Sequence, residues 1–146
     1  MREFFKRQKA GFYISIMTII LALIGMFIYI SNGHTAYYND FNSRVIILTA
    51  IAVAVEIILI VMVQSIGEKQ WLDISYLIVS VLLGITTMVF VSYRVESAAI
   101  IMGSSLEKGN IAAINALKQA LIGVGFYFLA MISSLVGSFF SQKKAI

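Results

Sequence analysis

The sequence predicts an all-α integral membrane protein, a four-helix bundle built as one transmembrane domain over residues 1–146. Three observations predict it. Of the residues, 60% are hydrophobic and 12% charged, whereas soluble domains carry about 25% charged residues; a soluble core of this size cannot enclose so much apolar surface. The apolar residues gather into four runs, each near the ~20 residues that cross a bilayer core. Lysine and arginine divide unequally between the two sides of those runs, a bias that sets orientation during insertion.

The first span, 11–31, contains no charge. Basic residues precede it, as in a signal peptide, but its apolar run exceeds the roughly 7–15 residues of a cleaved segment. It is expected to stay as an anchor. The second span, 45–66, contains one charged residue, Glu56. The third covers 74–93 and the fourth 119–141, with a helix that can start as early as Ile111. Residues 67–73 form a short turn, so the second and third helices should be antiparallel neighbours. Residues 32–43 form a short, polar first outer loop. The second outer loop, 94–110, is longer; within it 98–102 is too short to span and is expected as an interfacial helix.

One side of the spans holds Arg2, Lys6, Arg7, Lys9, Lys69, Lys143 and Lys144, and the other holds Arg44, Arg94, Lys108 and Lys118. The richer side should face the cytoplasm, which gives an N-in/C-in arrangement. Aromatic residues sit where headgroups would be: Tyr13, Trp71 and Tyr76 on the inner side, Tyr29, Tyr37, Tyr38 and Tyr93 on the outer. Residues 2–7 mix phenylalanine with basic side chains and should lie along the inner surface, near anionic lipid. A net charge of +4 is thus accounted for by topology, and nucleic acid is not an expected partner.

The chain has no cysteine and one histidine, which removes disulfides, thiol chemistry and the usual zinc sites. It has no proline either, so straight helices are expected rather than the Pro-interrupted ones of many transporters. No phosphate-binding loop or nucleophile elbow is present. The expected protein is not an enzyme and needs no cofactor or metal.

Helices associate in lipid through small residues and buried polar contacts. Ser133, Gly137 and Ser141 recur every four residues, and Ser80 and Gly84 offer a matching pair on the third helix. These are expected to pack helices within the bundle or against another subunit.

Glu56 is the sharpest chemical feature. Counting 1.5 Å per residue puts it about 15–18 Å from either end of its span, where a charge costs about 2.5–3.5 kcal/mol on insertion scales and faces a protein interior or aqueous cavity. Thr86 and Thr87, near mid-membrane on the third helix, are expected to supply its hydroxyl partners in an ion or proton pathway. A second group, His34, Tyr37, Asp40, Arg44, Tyr93, Arg94 and Glu96, lies at the outer helix ends. It suits interfacial ion pairs, or a shallow polar site in which arginine grips an anion.

In outline the chain resembles the small multidrug transporters, but their acidic residue lies in the first helix and the first span here has none. The leading expectation is an oligomer-forming or accessory subunit of a membrane assembly, with copies of itself or a larger membrane partner around it. The alternative is a small ion- or proton-coupled transporter or channel using Glu56. A short chain without glycosylation sequons or organelle signals points to a bacterial plasma membrane.

Overall fold

In a bilayer the backbone must satisfy its own hydrogen bonds, and a helix does so within one segment. A computed structural model describes residues 7–107 and 109–143, and in it four helices result: α1 Ala10–Gly33, α2 Ser43–Ile66, α3 Gln70–Gly103 and α4 Ile111–Gly137. More than half of α2 is Ile, Val or Thr, residues that favour strands in water; the helix forms there against local preference. Asn42 caps α2 by accepting the Arg44 amide at 2.9 Å, and Asn110 caps α4 by accepting that of Ala113 at 3.2 Å. Gly67, with φ of +79°, takes the left-handed turn that sends α2 into α3 after three residues.

The helices form a ring in chain order: α2 packs on α1 and α3, and α4 packs on α3 and closes against α1. One end of the bundle, called lower here, carries residues 7–9, 67–69 and 138–143; the upper end carries 34–42 and 104–110. All four helices are long and apolar enough to cross a membrane. Their outward faces carry large apolar side chains, such as Phe27, Ile74, Met88 and Leu121, which are more than 60% exposed. The fold is thus compatible with a multi-pass, four-helix membrane bundle.

Small residues bring the helices together. A methyl group at Gly123 would lie 2.8 Å from the Phe90 ring, and one at Gly25 would lie 3.1 Å from Tyr127. Between these seams Tyr29, Phe90 and Tyr127 stack edge to face, with centroids 4.8 Å and 6.3 Å apart. The predicted packing residues divide among these seams. Ser133 bonds the Thr18 hydroxyl of α1 at 2.8 Å, Ser80 donates to the Met131 carbonyl of α4 at 3.1 Å, Gly84 faces the Met131 sulfur, and Gly137 faces Ile14.

Three expectations need correction. Residues 98–102 are not a separate interfacial helix, because α3 runs unbroken through them; Ala98 and Ala99 favour helix, and no glycine interrupts until Gly103. The second upper loop therefore shrinks to 104–110. Ser141 does not extend the α4 stripe, because the helix ends at Gly137 and tightens through three-residue bonds from Phe139 to Val136 and from Phe140 to Gly137. Beyond it the 138–143 segment folds back across the bundle, and the amides of Lys9 and Gly11 donate to the carbonyls of Gln142 and Ser141 at 2.8 Å and 3.0 Å. Most of the inner-surface segment 2–7, together with Lys108 and Lys144, lies outside the described residues.

Candidate functional site

Glu56 arises from α2 and points into the bundle. It is 1% exposed. The walls around it come from Thr18, Ile19 and Ala22 of α1, Ala52 and Val53 of α2, and Val79 and Leu83 of α3. Ala22 and Ala52 are small enough to leave space for a carboxyl group among apolar neighbours. Neither carboxyl oxygen has a hydrogen-bond partner among the described residues. Ser15 is the hydroxyl that interacts with Glu56, but its geometry falls short of a hydrogen bond. Among the described residues no cation is an electrostatic neighbour of Glu56. An ionised carboxylate in such a place is very unfavourable, and a neutral acid leaves its polar atoms unmet.

The lower end supplies the rest of the site. Gln142 is 3% exposed, although it lies beyond the last helix. Its side-chain amide donates to Ser15 Oγ at 2.9 Å and to the Tyr76 hydroxyl oxygen. Its own Oε1 has no partner among the described residues. Tyr76 is also buried, and its carbonyl accepts from Ser134 at 3.1 Å. Tyr76 and Gln142 then form part of the wall of a half-open cavity of about 250 Å³, together with Glu68, Lys69 and Asp73. The polar order from the lower surface inward is therefore cavity, Tyr76 with Gln142, Ser15, Glu56.

Above Glu56 the bundle is closed. The Thr49 hydroxyl bonds that of Tyr127 at 2.7 Å, and Tyr29, Phe90 and Tyr127 fill the interior at 0% exposure.

Thr86 and Thr87 do not join Glu56. Their hydroxyls donate to the Leu82 and Leu83 carbonyls of their own helix at 2.8 Å and 2.7 Å. The reason is register. Glu56 lies ten residues before the end of α2, so the tight turn levels it with residues near 80 of α3, about 9 Å short of Thr86. The hydroxyls that do approach come from Ser15 and Thr18 of α1.

The upper group is brought together in part. Arg94 is 4% exposed. It donates from Nε to Asn32 Oδ1 at 2.8 Å and from Nη1 to Asp40 at 2.6 Å, and its guanidinium carbon lies 3.9 Å over the Tyr38 ring. Asn32 passes the contact to α4 by donating to the Ala116 carbonyl at 2.8 Å. Tyr93 accepts from Asn42 at 2.7 Å. His34, Arg44 and Glu96 stay apart from this centre: the His34 ring nitrogen bonds the Ile30 carbonyl at 2.7 Å, and Arg44 and Glu96 are exposed. Tyr37 stacks edge-on against Tyr38 at 5.1 Å. Arg94 and Asp40 thus clamp the 34–42 loop onto the helices, and of the arginine's nitrogens Nη2 alone lacks a partner among the described residues.

Sequence reasoning missed Ser15, Tyr76 and Gln142 at the lower site and Asn32 at the upper one. Ser15 and Thr18 left a readable signal, as two hydroxyls three residues apart on one face of an uncharged helix. Gln142 left none, because only the fold-back of the chain carries it inward. Among the described residues no cluster of three His, Asp or Glu residues is placed to hold a metal ion. Neither family models nor comparisons with curated proteins and with solved structures give a match to this chain.

Proposed function

We propose that this chain is a non-enzymatic membrane protein, N-in/C-in in a bacterial plasma membrane, that couples uptake of a proton or cation at Glu56 to movement of a solute or of its own helices. One observation carries the reading: Glu56 is buried at mid-bundle with both carboxyl oxygens unpartnered, while a polar route leads from it toward one end only. A carboxyl group kept for packing alone would be expected to bond a neighbour, since an unmet buried polar group costs about 1–3 kcal/mol. A group that must take up and release an ion is better served by a site that binds neither state tightly. The lower cavity would face the cytoplasm under the orientation given by the basic residues.

The test is an ion-flux assay on the purified protein in liposomes, with dyes for pH and for alkali cations inside. Flux that depends on Glu56 and vanishes in Glu56→Gln is the expected result. Equal flux in the wild type, the variant and empty vesicles would remove the proposal.

A second reading, an accessory subunit of a larger assembly, is favoured by the upper tip of α3 and α4. Met102, Leu106 and Ile111 are 82%, 93% and 72% exposed there, where α3, about 51 Å long, outruns a hydrocarbon core of about 30 Å. Cross-linking from residue 106 in native membranes separates the two, because a solitary carrier would yield only lipid adducts.

A further inference from the structure

We propose that the ligand of Glu56 is a proton, and that Gln142 is the door through which it arrives from the lower cavity. This rests on the reading of Glu56 as the ion-responsive group.

The identity of the ligand follows from space and donors. The void beside Glu56 is too small to admit a water molecule, and its walls are apolar apart from Thr18. Hard metal cations take six or more oxygen ligands, and a hydrated alkali ion needs at least its water. Ser15 alone among the described hydroxyls comes near hydrogen-bonding reach of the carboxyl group, too few oxygens for a metal ion. A proton alone needs neither volume nor a coordination shell.

The route follows from the hydrogen bonds. Tyr76 and Ser15 are hydroxyls, and hydroxyls pass protons along by accepting one and donating another. Both oxygens instead accept from the same Gln142 nitrogen, and although the two hydroxyls lie close enough to interact, no hydrogen bond joins them directly. An amide N–H donates but does not hand its proton on, so Gln142 interrupts the route from the cavity through Tyr76 to Ser15, whose hydroxyl completes the path by turning onto the Glu56 carboxyl group that it already approaches. Withdrawal of the amide leaves room for one water, which can bond both hydroxyls at the same place. A hydronium ion in the cavity then becomes water, an O–H bond forms on the Glu56 carboxylate, and the buried charge disappears.

The segment that carries Gln142 is built to be displaced. It lies outside the helices, and among the described residues it is also held by polar bonds at the lower surface, including Lys143 N to Glu68 at 3.0 Å, Lys143 Nζ to the Gln64 carbonyl at 2.9 Å, and the two backbone bonds from Lys9 and Gly11. Such segments open at much lower cost than the helices. A side chain at Gly11 would collide with the Phe140 carbonyl, so this glycine permits the segment to dock. The groups that titrate around Glu56 are few. Tyr76 faces it from α3, α1 offers hydroxyls and α4 no charged group there, and Glu68, Lys69, Asp73 and Lys143 stand at the mouth.

The experiment is time-resolved infrared spectroscopy of the whole protein in liposomes after a pH jump, following the carboxylic-acid carbonyl band. Wild type should show a slow band that Glu56→Gln removes. Gln142→Ala should accelerate it about tenfold or more, as loss of two ordinary hydrogen bonds implies. Gly11→Ala, which forces the segment off, should do the same and serves if Gln142→Ala fails to fold. An unchanged rate in a folded Gln142 or Gly11 variant would overturn the door and leave the reading of Glu56 standing. A Glu56 carboxylate band that responds to sodium or potassium at fixed pH would overturn the proton and again leave that reading. Absence of any Glu56-dependent band between acid and alkaline pH would overturn both.

Discussion

The hydroxyls of Thr49 and Tyr127 meet at 2.7 Å in the middle of the bundle, joining α2 to α4 across the diagonal of the helix ring. The bond crosses just above Glu56 on the same helix, two turns away. It also has a reserve, because Thr49 Oγ1 lies 2.7 Å from the Val45 carbonyl of its own helix.

Tyr127→Phe should therefore cost little, close to the ~0.6 kcal/mol average for intramembrane hydrogen bonds. The Phe90 contact remains and Thr49 keeps a partner. Thermal unfolding in detergent checks this, and a loss above about 2 kcal/mol would mean that the diagonal bond fixes the whole bundle.

Glu56→Leu is expected to stabilise the fold. A buried carboxyl with two unpartnered oxygens gives way to a side chain of similar size in a mostly apolar niche, which should gain about 1–3 kcal/mol. Glu56→Gln should leave stability nearly unchanged. Chemical or thermal unfolding of the two variants beside wild type decides it, and a marked loss in Glu56→Leu would reveal a structural bond to the carboxyl group.

At the upper end the two members of the ion pair should not be equal. Arg94→Lys breaks the bond to Asn32, whose side chain is fully buried, and removes the planar group over Tyr38. It should cost about 2–4 kcal/mol. Asp40 is 43% exposed, so solvent screens its half of the pair and Asp40→Asn should cost less than about 1 kcal/mol. Comparable melting temperatures for the two variants would contradict this division.

Single cysteines placed in a chain that has none report orientation. Ala36 and Ser105 are exposed at the upper end and Gln70 at the lower; Gly33 is buried against Phe41 and is unsuited. In intact cells an impermeant thiol reagent should label the first two and spare the third. Labelling of Gln70→Cys alone would invert the topology.

The four helices were legible because apolar length and the demand for internal backbone bonding leave a single solution. The upper end of α3 was not, since the charged and polar residues from Arg94 onward mark a change of solvent, whereas the backbone continues its helix past it. Glu56 announced itself as the lone charge in its span. Its neighbours did not, for two reasons. A third span of 74–93 sets Thr86 nearer the level of Glu56 than a helix that starts at Gln70 does; and Gln142 reaches the site by a fold-back that no periodicity encodes. Arg94, Asp40 and Tyr93 could be grouped from their positions at helix ends. Asn32, which links them to α4, read as an ordinary loop polar residue until its amide was seen against Ala116.

The strand-loving composition of α2 governs how the protein can be made. A run so rich in Ile and Val, met by water before it meets lipid, has the makings of an adhesive β-segment. Between Val45 and Ile66 its sole charged residue is Glu56, and a charge within such a run is what discourages stacking. The residue that burdens the finished bundle thus protects the nascent one, and substitutions that strengthen the fold at this position should lower the yield of protein delivered to the membrane.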